Sequence, residues 1–332
     1  MNPETPLSPR PLQRLSDPRH RVMTARELRE HGISAAQANE RCRPGGPWQM
    51  PLPGVYLLHA DPPSGTERLR AALRFAAGRE AAGAGSGVVL TGQAALALHG
   101  FAAAPRPEAL ERVDVLVART RRLRSADWVR IVRAHALPRP VELDGFPAAP
   151  VPRALADAVG RIADAATVRT LLIEAVRGGH CDALAVVREL SRARLLNRPH
   201  VINAVETLLA EGRALAEGLL MALVRDSGLP DPCWNVELRL PGGPRLGRVD
   251  AYWPDHAVAV DIDARTSRQD REAMWVEYAQ KREALERLGV TLVCVTPRKL
   301  RETPELQATV VRTALLAAAE RPPGAYLVVT PR

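Results

Sequence analysis

Between Ala257 and Asp263 the branched residues Val258, Val260 and Ile262 alternate with Ala257, Ala259, Asp261 and Asp263. A period of two is that of a strand, and it turns both carboxylates to one side of it. The same reading carried through the C-terminal third predicts a helix over Ala214 to Asp226, strands over Cys233 to Leu240 and Leu246 to Trp253, and the strand ending at Asp263. A helix over Gln269 to Leu288, a strand over Val290 to Thr296 and a helix over Pro304 to Ala319 follow. Pro297 and Pro304 punctuate the last elements, and strands mixed with flanking helices make this an α/β domain.

Nearer the N-terminus the pattern shortens. Residues 1–20 carry Pro3, Pro6, Pro9, Pro11 and Pro18 among arginines and are expected to be disordered. Thr24 with Glu27 reads as a capping box opening a short helix that stops at Gly32. Ser34 caps a second helix through Ala38 and Cys42, closed by Pro44-Gly45-Gly46. Trp48 to Met50 and Gly54 to Leu58, joined across Pro51 to Pro53, read as a hairpin. Helix, tight turn, helix and hairpin is the layout of a winged helix-turn-helix, which makes Ser34 to Arg43 the recognition helix and puts Gln37, Arg41 and Arg43 nearest DNA.

The middle region alternates less regularly. A helix is expected around Leu69 to Ala77 and a small-residue turn at Gly83 to Gly87. A strand at Val88 to Leu90 leads into a helix at Gln93 to His99, and further strands are expected at Val113 to Val117 and Val129 to Val132. Arg119, Arg121, Arg122 and Arg124 between the last two either touch phosphates or form a solvated turn. From Pro152 to about Leu215 the apolar spacing is helical.

Composition narrows the classes. The chain has 332 residues, 46% of them hydrophobic, with no apolar run of membrane-spanning length and no apolar signal-peptide core near the start, so the expectation is a cytoplasmic protein of two or three domains. Four cysteines, Cys42, Cys181, Cys233 and Cys294, stand far apart and suggest neither a zinc site nor a disulfide framework. The formal charge of +9 points to an anionic partner, nucleic acid first. The scarcity of lysine beside abundant arginine and alanine is also what a GC-rich genome produces.

Chemistry concentrates in the C-terminal third. Asp250, Asp261 and Asp263 end two strand-like runs, and carboxylates on an apolar strand need a paired or bound cation, for which a hard ion such as Mg²⁺ is suited. Glu217 shares a helical stripe with Leu220, Met221 and Val224, where it is either functional or a helix-start acid placed for the dipole. Lys281 falls on the stripe of Met274, Tyr278, Leu285 and Leu288, where it is either functional or snorkels to solvent. His256 falls in the turn between two strands.

The helix with Glu217, then Arg248-Val-Asp250, then Val260-Asp-Ile-Asp263, then a helix and the strand Val290 to Thr296, resembles the restriction-endonuclease-like, PD-(D/E)xK fold in its very-short-patch-repair-like branch. The resemblance implies Glu217, Asp250 and Asp261 as metal ligands for Mg²⁺. It puts Asp263 where wider members place a lysine, and leaves Lys281 or Arg282 to supply that cation at a scissile phosphate. Asp261 replaces a more usual glutamate, Ala264 a frequent glycine, and Arg265-Thr266 an aromatic-histidine pair. These departures leave two forms open, an active nuclease with Glu217, Asp250, Asp261, Asp263 and Lys281 as its catalytic set, or a degenerate domain that only binds.

Thr24 to Leu58, with Thr91 to Gly100 and Gly145 to Asp157, is similar to AbiEi-type antitoxins. That likeness implies a transcriptional autorepressor with a cognate toxin as partner. The expected organisation is a tail over 1–20, a winged helix-turn-helix over 21–62, an antitoxin-like α/β region over 63–157, a helical region over 158–212, a restriction-endonuclease-like domain over 213–320 and a tail over 321–332. The fold class is α/β, of multi-domain α+β type. The function expected is DNA binding, with a Mg²⁺-dependent DNA endonuclease and an antitoxin autorepressor as the alternatives.

Overall fold

The computed structural model describes residues 21–78, 87–263, 279–320 and 326–331. The expected tail over 1–20, most of the small-residue turn, Ala264, Arg265-Thr266 and residues 269–278 of the expected long helix lie outside them. The chain is a mixed α/β protein that divides into two compact units, Met1–Leu171 and Leu172–Arg332.

The first unit opens with β1 (Val22–Thr24), α1 (Ala25–Glu30), α2 (Ala35–Arg41), β2 (Gln49–Leu52) and β3 (Val55–Leu57). The expected capping box at Thr24 is present, and the expected cap at Ser34 is a capping box as well. Thr24 and Glu27 exchange side-chain bonds with each other's backbone N–H, as do Ser34 and Gln37, so each short helix satisfies donors it could not satisfy internally. The three strands are antiparallel in the order β1-β3-β2. β1, three residues long, gives no periodic signal and was not expected. The hairpin turn is Pro53-Gly54 rather than Pro51 to Pro53, because Leu52 already pairs with Val55. Met23, Leu28, Ile33, Ala38, Trp48, Tyr56 and Leu58 make the core that holds α1 and α2 on this sheet.

Behind the small sheet, α3 (Gly65–Ala77) packs on both it and a second sheet, formed with β4 (Val88–Thr91), β5 (Val113–Ala118), β6 (Val129–Ala134), β7 (Val141–Leu143) and β8 (Phe146–Ala148) in the order β6-β5-β4-β8-β7. One core joins Val22, Val55 and Leu57 to Leu69, Leu90, Val115 and Ile131, so packing does not break at the expected boundary of 62/63. The β7–β8 hairpin was missed, although Asp144-Gly145 at its tip, with φ of 51° and 78°, is the dipeptide such turns favour. Of the arginine cluster, Arg121 donates to the carbonyl of Ala76 at 2.7 Å, which ties it to α3, while Arg122 and Arg124 are exposed.

The stretches that carried the antitoxin likeness meet in this unit. α4 (Gly92–Leu98) packs on α5 (Val151–Val159), and the Thr91 hydroxyl donates to Asp157 at 2.6 Å while Arg153 donates to the same carboxylate at 2.9 Å. Gly92 has φ +60°, and a Cβ there would stand 2.8 Å from the buried Asp114 carboxylate, which Arg130 grips with two bonds of 2.5 and 2.8 Å. A glycine is required at that point on both counts.

The chain then enters α6 (Ala165–Arg177), within which the division of units falls. The second unit continues through α7 (Ala183–Arg192), α8 (Pro199–Asp226), β9 (Cys233–Arg239), β10 (Arg245–Trp253), β11 (Val258–Ile262), α9 (residues 279–287), β12 (Thr291–Val295), α10 (Pro297–Glu302), α11 (Pro304–Ala319) and β13 (Val328–Pro331). The sheet order is β12-β11-β10-β9-β13, parallel between β11 and β12 and antiparallel elsewhere. α8 and α11 cover one face through Leu220, Val224, Val311 and Leu315 on Val258, Val260 and Ile262; α9 covers the other through Leu285.

Two boundaries change. The helix expected from Ala214 is continuous from Pro199, so the 212/213 boundary falls inside α8. Residues expected as a C-terminal tail include β13, which extends the sheet beside β9.

Removing the shared acceptor in the first unit tests its buried polar link. Asp157→Ala strands the fully buried Thr91 hydroxyl and should cost about 1–3 kcal/mol, read as a lowered midpoint in urea denaturation.

Candidate functional site

The β10–β11 ladder runs as far as Ala251↔Val260, and the next positions on the two strands are Asp250 and Asp261. Where the ladder stops, the Ile262 N–H donates to the Asp250 carboxylate at 2.6 Å instead of to a strand carbonyl. Asp250 is 3% exposed, which an ionised carboxylate tolerates only with partners. Its second oxygen is met by the Arg213 guanidinium at 2.5 Å, and Arg213 also reaches Glu217 at 2.8 Å. Arg213 and Glu217 are one turn apart on α8, so one guanidinium bridges the helix acid to the strand acid.

Asp261 is served from the other face of the sheet. Lys281 on α9 donates to it at 2.8 Å and also to the carbonyl of Arg248 on β10. Asp263 follows the end of β11, its N–H bonded to the carbonyl of Val295 at 2.7 Å. A cleft of about 840 Å³ opens here, with Asp250, Asp261, Glu237, Arg213, Arg245, Arg248 and Lys281 in its lining. Arg245 and Arg248 are exposed at its mouth.

Burial pushes the Asp250 carboxyl above the usual carboxylate range. The Ile262 N–H and Arg213 oppose that rise, and the nearby charges of Asp261 and Glu217 add to it. The three acids named from the sequence therefore share one electrostatic neighbourhood.

The Mg²⁺ cage that the resemblance implies does not fit this arrangement. Asp250 and Glu217 are bound to a guanidinium and Asp261 to an ammonium, so two positive groups stand among the acids where a dication would be repelled. Among the described residues no three acid, histidine or cysteine side chains form a group able to hold a metal ion. Of the two cations proposed for a scissile phosphate, Lys281 lines the cleft, while Arg282 is exposed and pairs with Glu286 at 2.7 Å. The dipole reading of Glu217 lapses, since α8 begins at Pro199 and dipole effects fade within a turn. His256 lies half-buried in a short 3₁₀ turn between β10 and β11.

Gln37, Arg41 and Arg43 lie in the other unit. Ala38 is the one buried residue of α2; Ala35, Ala36, Gln37, Asn39 and Glu40 are exposed. Arg41 stacks on Trp48 at 4.6 Å from the ring centroid, and Arg43 pairs loosely with Glu40 at 2.8 Å, both side chains mostly in solvent.

Sequence reasoning missed Arg213 and Gly247. Arg213 was placed one residue before its helix, which hid its spacing of four from Glu217. Gly247 was passed over as an ordinary residue inside a strand pattern, although a glycine there marks a bulge or a close approach. No protein-family model and no curated protein matches the chain.

The raised pKa of Asp250 makes stability pH-dependent. The folded state holds the proton more tightly than the unfolded chain, so this carboxyl's stabilising contribution is complete below its ordinary value of 3.8 and is lost as pH rises through the higher folded value. Melting temperatures across pH 4 to 7 should fall less with pH in Asp250→Asn than in the native protein.

Proposed function

We propose that the chain is a DNA-binding protein that reads duplex DNA with α2 and holds backbone phosphate in the cleft of the second unit without cutting it. The observation that carries this reading is the presentation of α2, a helix closed by a two-way cap that buries only Ala38, is tied to the core by the Tyr56 hydroxyl on Asn39 and by Arg41 on Trp48, and leaves Ala35, Ala36, Gln37 and Glu40 exposed. A helix serving only the core would bury a wider apolar stripe. The β2–β3 hairpin beside it and the β1-β3-β2 order of the sheet support a winged helix-turn-helix.

For the second unit, the succession of a helix with Glu217, strands ending at Asp250 and Asp261, a helix with Lys281 and a parallel strand supports the restriction-endonuclease-like reading. Cations already seated on its acids favour the binding-only form. Arg245, Arg248 and Lys281 would contact phosphates, a sequence-independent attraction weakened by salt. The autorepressor form of the reading draws on the Thr91–Asp157 link and the α4–α5 packing, which make the two antitoxin-like stretches one structural element. Co-expression with a nucleotidyltransferase-like toxin from a neighbouring gene should then yield a co-purifying pair.

Fluorescence anisotropy on a labelled duplex across salt concentrations tests the first claim. Arg41→Ala with Arg43→Ala should weaken binding at every sequence and lower the log–log salt slope by about two, roughly one per lost phosphate contact. An unchanged slope would remove α2 from the interface. Incubation with supercoiled plasmid in Mg²⁺ or Mn²⁺ should leave it uncut, and nicking that Asp250→Asn abolishes would establish the endonuclease instead.

A further inference from the structure

We propose that Gly247 is the positioning residue of the cleft. Its missing side chain lets the stem of Lys281 cross β10 and plant the ammonium between Asp261 and the carbonyl of Arg248. The phosphate-binding part of this inference rests on the function proposed above; the seating of Lys281 does not.

The geometry is specific to this glycine. In the pairing of β9 with β10 the register shifts between Arg245 and Gly247, and Gly247 adopts φ +132°, which side chains disfavour. A Cβ built there would lie 3.2 Å from Lys281 Cε, 3.3 Å from Cδ and 3.5 Å from Cγ, its three nearest neighbours. A free lysine stem would swing aside. This one is fixed at both ends, by α9 at its root and by two acceptors at its tip, and its side chain is 15% exposed. A methyl at 247 therefore presses on a stem that must give by about a few tenths of an ångström while its ends are held. The irregular register beside Gly247 and its lack of a side chain leave room for the stem over β10 on its way to Asp261.

Lys281 has a consequence for ligands as well. An ammonium held by one carboxylate and one carbonyl keeps a third N–H, and Lys281 is part of the cleft lining, so under this proposal that N–H is the one offered to an entering anion. Gly247 thus sets the site of the phosphate contact without touching phosphate.

A double-mutant cycle on the full chain tests the seating. Gly247→Ala, Lys281→Ala and the double variant are compared with the native protein by thermal melting. The alanine at 247 should lower the melting temperature more when Lys281 is present than when it is absent, because the backbone strain is common to both and the contact with the stem is not. Equal losses in the two backgrounds would overturn the proposal. If Gly247→Ala fails to fold while the double variant folds, the proposal stands; if both fail, it falls.

Duplex binding by anisotropy supplies the readout that a merely structural glycine would not move. Gly247→Ala and Lys281→Ala should each take about one unit from the salt slope, and the double variant no more than either. A Gly247→Ala protein with the native slope overturns the positioning role. Should the native protein not bind DNA at all, the function proposed above fails, and the melting cycle still decides the seat of Lys281.

Discussion

A carboxylate at the end of a β ladder, almost wholly out of water, has to be met by something positive or by an N–H, and Asp250 is that carboxylate. The arrangement of the second unit around it answers this one requirement. The phase of α8 brings Arg213 to one oxygen, and the ladder stops where it does so that the Ile262 N–H can turn to the other. α9 delivers a second cation to Asp261, the acid next along the neighbouring strand. Removing one partner from such a set is costlier than never having built it, because the remaining charge stays buried.

The first unit solves a similar problem by the same means. Asp114 lies in the middle of a sheet, 6% exposed, and Arg130 on the adjacent strand holds it with a fork of two bonds. Asp157 takes a hydroxyl and a guanidinium. In both units arginine supplies counter-charge to a buried acid, so Arg130, Arg153 and Arg213 serve the fold as well as the net positive charge.

Much of this was legible beforehand because it depends on neighbours in sequence. The capping box at Thr24, the cap at Ser34 and the alternation around Val260 are local patterns, and the structure holds each of them; of the stripe expected through Leu285, Met274 and Tyr278 lie outside the described residues. Asp250 and Asp261 could be brought near each other on paper because one short turn separates their strands. What was not legible is what depends on tertiary context. β1 is too short to show a period and exists because β3 offers it a partner. β13 is recognisable only beside β9. Arg213 was hidden by a helix start placed fifteen residues late, and the unmet charge of the acids then suggested a metal where side chains supply the balance.

A counter-ion on a side chain differs from one in solution in a way that the cell would notice. Lys281 and Arg213 are covalently attached, so their effective concentration at the acids is fixed by the chain and not by supply. The susceptibility moves elsewhere, to whatever can compete for an ammonium or a guanidinium, and a polyanion competes better than any simple salt. A site balanced in this way carries its own counter-charge, and whatever enters it meets a field that the chain has already set.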